Sequence, residues 1–374
     1  MTELMFSIRD RRLFILLSLV LLIALVTSCN KINQEKFNLT RDKSDIEYVL
    51  SLSRIRENRS ILLFISKNGT IKEKLKYKGA SINSLNNIDD KIYMHSSRTN
   101  EHFIYDDKGF EKFSLESEYA DTPDITTWFV KRGKDGLIEG INVGLIDTDY
   151  YLSSLAYSNE KIRNEILLKW EYLNDAIEVN GKIFLEAYND ISSKYRIIVI
   201  DKEKKTSNII NFDKPYTDPG KQMIQFNESV VDYGHIGSSS LLYLIDSNTN
   251  ESKEITFKNE NILYVFVNDN LKVITNKNMY DLNSELEIVN KKEIEDTDLI
   301  KDIEDNKLGL RKIIDKENIL SVLYTSEDFD NVEVGCIREY DKKDMKLIRN
   351  IDIKLDRSRE WMGEDVDFIS INNK

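Results

Sequence analysis

Cysteine is nearly absent from this chain of 374 residues, which has only Cys29 and Cys336. That excludes a disulfide-held fold: Cys29 closes an N-terminal apolar segment, and Cys336 lies alone in the strand-like run 332–337, where it reads as a small buried residue. Histidine is almost as rare. His95, His102 and His235 show no zinc spacing such as H-E-x-x-H, and a catalytic zinc needs three convergent protein ligands, so each reads as a strand or turn residue. Only three prolines and no long helical period point to strands. An excess of basic charge is missing too, since 53 Lys and Arg against 65 Asp and Glu leave a formal net charge of -12. So acidic a chain has no electrostatic footprint for nucleic acid and is repelled by anionic lipid head groups.

One long apolar run is present, residues 13–26 (LFILLSLVLLIALV). At roughly 1.5 Å per helical residue its ~14 residues fall short of a hydrocarbon core about 30 Å thick. It reads as the core of a signal peptide, with Arg9, Arg11 and Arg12 as the positive flank and Thr27 and Ser28 as small residues at a cleavage site. Val26-Thr27-Ser28-Cys29 resembles the lipobox of bacterial lipoproteins. The resemblance implies that Cys29 is lipidated, becomes the first residue of the mature chain and anchors it to a cell membrane or outer membrane on the extracytoplasmic side. An ordinary secretory signal, with Cys29 a passenger, is the alternative. Residues 1–28 are then the signal peptide, 29–43 the lipidated cysteine and a polar tether without hydrophobic period, and 44–374 the folded domain.

From residue 45 onward, short runs rich in Ile, Val, Leu, Tyr and Phe alternate with Asn, Asp, Gly, Lys and Ser clusters, the pattern of strands and turns. A phrase recurs in which an apolar strand ends on aspartate and a charged or small-residue turn follows. The copies are His102-Phe103-Ile104-Tyr105-Asp106, Ile197-Ile198-Val199-Ile200-Asp201, Leu242-Tyr243-Leu244-Ile245-Asp246 and Ile337-Arg338-Glu339-Tyr340-Asp341. Their aspartates are two, one and two steps of about 45 to 48 residues apart, a repeat length of stacked supersecondary units. The aspartate has a local reason, since its carboxylate can accept backbone N–H groups of the turn it opens. Asn180-Gly181 is the clearest hairpin signal.

The pattern resembles β-propellers of the WD40, YVTN and quinoprotein-like group, although the Gly-His to Trp-Asp pair and the tryptophan docking motif are absent. It implies an all-β domain of about seven four-stranded blades, with six to eight fitting the spacing. The blades are expected near 46–78, 81–116, 125–169, 175–212, 222–257, 262–290 and 308–355, with 366–371 closing the ring against the short first one. A pair of β-sandwiches is the other fold, but it has no reason to repeat near 45 residues. The charged segment 290–306 is expected to be a solvated insertion, as a loop or surface helix.

No catalytic motif emerges. Asp246-Ser247-Asn248-Thr249-Asn250 opens like a calcium loop, but Glu251 replaces its glycine and Phe257 its terminal glutamate. Asp328-Phe329-Asp330-Asn331 lacks that glycine too. Gly237-Ser238-Ser239-Ser240 is a hairpin and not a nucleophile elbow, and no glycine-rich phosphate loop exists. No metal or cofactor is expected. The remaining signal is aromatic: Trp128, Trp170, Tyr172, Tyr216 and Trp361 fall at or just before the first strand of a blade, in the connections that line one rim of a propeller channel. With Asp124, Glu171 and Asp218 nearby they could stack a sugar or anchor a protein, although packing blade against blade is the reading to be preferred before either. The expected function is a membrane-anchored binding or scaffold module for envelope protein or glycan. The alternative is an envelope glycan lyase or hydrolase with carboxylates converging in the channel.

Overall fold

A computed structural model describes residues 45–54, 58–120, 125–146, 150–159, 162–220, 222–304, 308–326, 333–354 and 365–371. Apolar residues alternate along its short strands, and the strands fold into seven antiparallel sheets. The first sheet contains β1 (Ile46–Ser53), β2 (Ser60–Ser66) and β3 (Ile71–Tyr77), and the second β4 (Ile82–Ile88), β5 (Lys91–Ser96), β6 (His102–Asp106) and β7 (Gly109–Phe113). The third is β8 (Thr126–Arg132), β9 (Leu137–Ile146), β10 (Tyr150–Asn159) and β11 (Ile162–Lys169), and the fourth β12 (Glu171–Val179), β13 (Lys182–Asn189), β14 (Lys194–Asp201) and β15 (Thr206–Ile210). The fifth begins with two fragments, β16 (Asp218–Pro219) and β17 (Ile224–Phe226), followed by β18 (Ser229–Ile236), β19 (Ser239–Asp246) and β20 (Ser252–Phe257). The sixth is β21 (Ile262–Val267), β22 (Leu271–Thr275), β23 (Asn278–Leu282) and β24 (Ile288–Glu293), and the seventh β25 (Leu308–Asp315), β26 (Ile319–Ser326), β27 (Glu333–Asp341) and β28 (Leu347–Lys354). The domain is a seven-bladed β-propeller.

The first blade looked short in sequence because its innermost strand comes from the other end of the chain. There β29 (Asp365–Ser370) pairs antiparallel with β1, from Tyr48 opposite Ser370 to Ser53 opposite Asp365. Asp367 staples this strand to both neighbours: its carboxylate takes the Lys312 ammonium of β25 at 2.6 Å and the Leu85 N–H of β4 at 2.6 Å. Across the closure, Tyr48 bonds Ser321 at 2.7 Å and Glu339, Lys316 lies 3.9 Å over the Tyr48 ring, and Arg349 bridges Glu47 and Glu339 at 2.6 Å each. Burial itself is apolar and lies between blades. Leu50, Leu63 and Phe368 of the first blade meet Leu323 and Ile337 of the seventh, and Phe184 and Val199 of the fourth meet Val230 and Tyr243 of the fifth.

The repeated aspartates end the third strand of their blades and cap the turn that follows. Asp106 accepts Lys108 N–H at 2.8 Å, Asp201 accepts Glu203 and Lys204, Asp246 accepts Asn248 and Thr249, and Asp341 accepts Lys343 at 2.7 Å. In three of these turns the residue four positions on, Lys205, Asn250 or Met345, bonds back to the aspartate carbonyl and adopts a left-handed φ of 54°, 63° or 57°. Asn180 and Gly181 both take positive φ, as a two-residue hairpin with this twist requires. Segment 290–306 departs from expectation. Its first residues complete β24, and Asp298–Glu304 forms a short helix, α1, that buries Leu299 and Ile300 against the sixth and seventh blades. Asp302 of α1 also binds Tyr340 and Arg338. Its apolar pair was hidden among charges.

Because ring closure depends on β29, Phe368→Ala should destabilise the protein by about 3–5 kcal/mol in urea unfolding. Ile288→Ala, on an exposed outer strand, should stay within about 0.5 kcal/mol of the parent.

Candidate functional site

The innermost strands crowd around the axis, and five of them carry a bulge near their start. Register shifts fall between Ile82 and Ser84, Thr127 and Phe129, Leu173 and Asp175, Ile262 and Tyr264, and Leu310 and Lys312. Each leaves one residue outside the ladder: Asn83, Trp128, Asn174, Leu263 and Arg311. A bulge bends its strand and re-aims the extra side chain, and the residue at this equivalent position differs from blade to blade.

In the fifth blade the inner strand is broken outright between β16 and β17. Pro219 and Gly220 lie there, and a Cβ on Gly220 would fall 2.7 Å from the Tyr233 ring. A cavity of about 700 Å³ opens beside this break. Its polar wall is Asn174, Asp218, Tyr233, His235 and Asn261, and its apolar wall Ile262, Leu263, Leu310 and Ile303 of α1. Two bulge residues, Asn174 and Leu263, are thus part of the lining.

The aromatics separate into a surface group and a buried residue. Trp128 lies 4.2 Å from Tyr172 and 5.2 Å from Tyr151, centroid to centroid. Its indole N–H donates to Ser153 at 3.0 Å, and Ser153 donates to the Glu171 carbonyl at 2.7 Å, which fixes the ring. Trp170 and Tyr172 are 40% and 36% exposed, and Trp170 sits at a left-handed φ of 64°, held by its backbone bonds to Tyr151 and Asp190. Tyr216 is not on the rim: it is 2% exposed, between the fourth and fifth blades. Glu171 is also buried, paired with Arg196 and bonded by Asn189 at 2.9 Å. Asp218 reaches the cavity. Trp361, Asp124, Cys29 and the 328–331 loop lie outside the described residues.

A buried acid group that no sequence motif marks adjoins the cavity. Glu186 and Asp232, each 1% exposed, both bond the Tyr216 hydroxyl, Asp232 at 2.6 Å, and the Asn174 amide donates to Glu186. One hydroxyl has one hydrogen, so both bonds can form only when a carboxyl also carries a proton. Burial raises the Glu186 pKa well above the carboxylate range, with the Asp232 charge adding to it, and burial pushes Asp232 up to about 7. Beside them Asp175 takes the Lys131 ammonium at 2.9 Å and the Met223 N–H at 2.8 Å, repeating the Asp367 staple on three consecutive inner strands. The available signal was an acidic residue inside an apolar strand, as in FLEAY and VVDYG.

The histidines are placed as strand residues. His95 and His102 are buried side by side at 5.3 Å, and His102 Nδ1 accepts the Ser96 N–H at 3.1 Å. Burial lowers His102 to about 4, and burial with the neighbouring His102 holds His95 well below its usual range. His235 lines the cavity with Nδ1 engaged by Ser240 at 2.8 Å, but Ser240 is fully buried and does not form a reactive triad with it. Among the described residues no three His, Cys, Asp or Glu side chains are placed to hold a metal ion.

No family model matches the chain, and no curated protein does. Solved structures do. A protein of Lactobacillus plantarum is 9% identical over 87% of this chain and 99% of its own, with a TM-score of 0.53. A candidate 6-phosphogluconolactonase from Bacteroides fragilis is 11% identical over 87% and 99%, with a TM-score of 0.52. An apocarotenoid oxygenase mutant from Synechocystis is 7% identical over 87% and 92%, with a TM-score of 0.51. At such identities the likeness shows the propeller fold alone.

The two buried groups titrate with opposite effect on stability. The histidines bind protons more weakly folded than unfolded, so their contribution is lost as pH falls from about 6.5 towards 4. Asp232 binds its proton more tightly when folded, so its contribution is lost as pH rises through about 7. Urea unfolding at pH 5 and 8.5 should therefore show the stability of Asp232→Asn, relative to the parent, rising with pH. His102→Asn should lose less stability than the parent between pH 7 and 5.

Proposed function

We propose that this protein is a lipid-anchored binding module of the bacterial cell envelope whose propeller mouth recognises glycan. The observation that carries the reading is the cavity at the broken fifth inner strand, with Tyr172 and Asn174 two positions apart on β12: Tyr172 belongs to the aromatic group and Asn174 to the cavity wall. An aromatic face beside amide and carboxylate groups suits a sugar, which offers C–H faces for stacking and hydroxyls for hydrogen bonds. The anchor is the lipid on Cys29, which the lipobox implies, and an acidic domain would otherwise be repelled by anionic lipids.

The lyase or hydrolase reading draws on the Glu186–Asp232 pair, because two carboxyls of raised pKa suit acid–base work. Both are closed off behind Asn174 and Tyr216, so binding is favoured. Nor does the cavity favour a phosphorylated sugar, since its described lining contains no lysine or arginine.

Soluble protein starting at Asn30 should bind oligosaccharides on a glycan array. Trp170→Ala and Tyr172→Ala, both exposed side chains, should weaken that binding at least about tenfold, roughly 1.4 kcal/mol, without changing the melting temperature. A melting temperature that falls in both variants, with binding unchanged, would assign these rings to packing. In a bacterial host, Cys29→Ser should abolish incorporation of labelled palmitate and move the protein from the membrane to the soluble fraction.

A further inference from the structure

The cavity has a charge imbalance that specifies its ligand further. Asp218 contributes a carboxylate to the wall, and Glu186 and Asp232 lie one side chain deeper, reached through Asn174. No lysine or arginine is among the described lining residues, and Lys131 close by is already paired with Asp175. Asn174 gives one of its two amide hydrogens to Glu186 and has a carbonyl oxygen that can accept from a ligand. Among the described lining residues the site thus offers a carboxylate and a carbonyl acceptor to a cationic ligand, with no lysine or arginine in the described wall to compete for them.

We propose that the cavity receives the ammonium group of an amino sugar, set against Asp218, while the sugar ring lies towards Tyr172. This rests on the glycan-binding reading and narrows it. An N-acetylated, neutral or anionic sugar of the same linkage lacks the cation. The balance of the step is simple: as the ammonium arrives, a carboxyl of the Glu186–Tyr216–Asp232 group ionises, and its proton goes to solvent. Other titratable groups face that pair. Asp175 is neutralised by Lys131, Tyr195 beside Glu186 is held protonated by burial, its pKa pushed up to about 12, and Tyr243 beside Asp232 is raised by burial as well. His235 in the cavity wall, its pKa lowered by burial and raised by Asp218, is the other group that can release a proton, and Glu186→Gln separates it from the carboxyl pair.

The test is titration calorimetry of the soluble protein at pH 6 and about 0.15 M salt, where long-range attraction is screened. The probes are β-1,4-linked trimers of glucosamine, N-acetylglucosamine and glucose, each in two buffers of different ionisation enthalpy. The glucosamine trimer should bind at least about tenfold more tightly than the other two and release a fraction of a proton. Asp218→Asn, at an exposed position, should erase the preference, and Glu186→Gln should erase the proton release. Equal affinity for the three trimers, or a preference that survives Asp218→Asn, would overturn the ammonium site and leave glycan binding standing. Failure of all three to bind, with other glycans also unbound on the array, would remove both.

Discussion

The whole domain depends on a strand contributed by its far end. Without β29, the first blade would lack its inner strand and β1 would present an unpaired edge, an invitation to aggregate. Pairing of β29 with β1 is backed by groups that reach across the closure. Asp367 holds three consecutive inner strands through one carboxylate, and the Tyr48, Glu339, Lys316 and Arg349 network joins the first and seventh blades. Such a network is buried enough that losing one partner strands another charge, which makes it specific to the correct closure.

Closing seven sheets around one axis also creates the site. Bulges in five inner strands each leave one residue outside the ladder, and two of these, Asn174 and Leu263, line the cavity. In the fifth blade the strand breaks instead, and the cavity opens beside the break. Gly220 and Gly234 leave room for the rings of Tyr233 and Tyr216 to lie against the backbone, where a Cβ would meet them. Tyr216 is set there between Glu186 and Asp232.

Much of the architecture was legible because it is written locally. An apolar strand that ends on aspartate needs only the next three residues to explain it, and Asp106, Asp201, Asp246 and Asp341 all cap their turns as that reasoning requires. Asn180-Gly181 is equally local. The buried acids were not legible, because Asp175, Glu186 and Asp232 look like any solvated carboxylate until neighbouring blades enclose them. Tyr216 misled for the same reason: its place before an inner strand suggested the rim, yet the broken strand sinks it between two blades. Leu299 and Ile300 were overlooked because charges on either side of them dominate the composition of their segment.

By itself the sequence determined most strands, their turns and the repeat, since each follows from periodicity and turn chemistry over a few residues, and the resemblance these carry implied a propeller closed by 366–371. Tertiary structure alone decided that the blades number seven, which residues the bulges leave outside the ladder and which carboxyls share a proton. Those outcomes depend on contacts between residues far apart in the chain, such as Tyr48 with Glu339 and Tyr216 with Glu186, and on the desolvation that follows when one blade covers another.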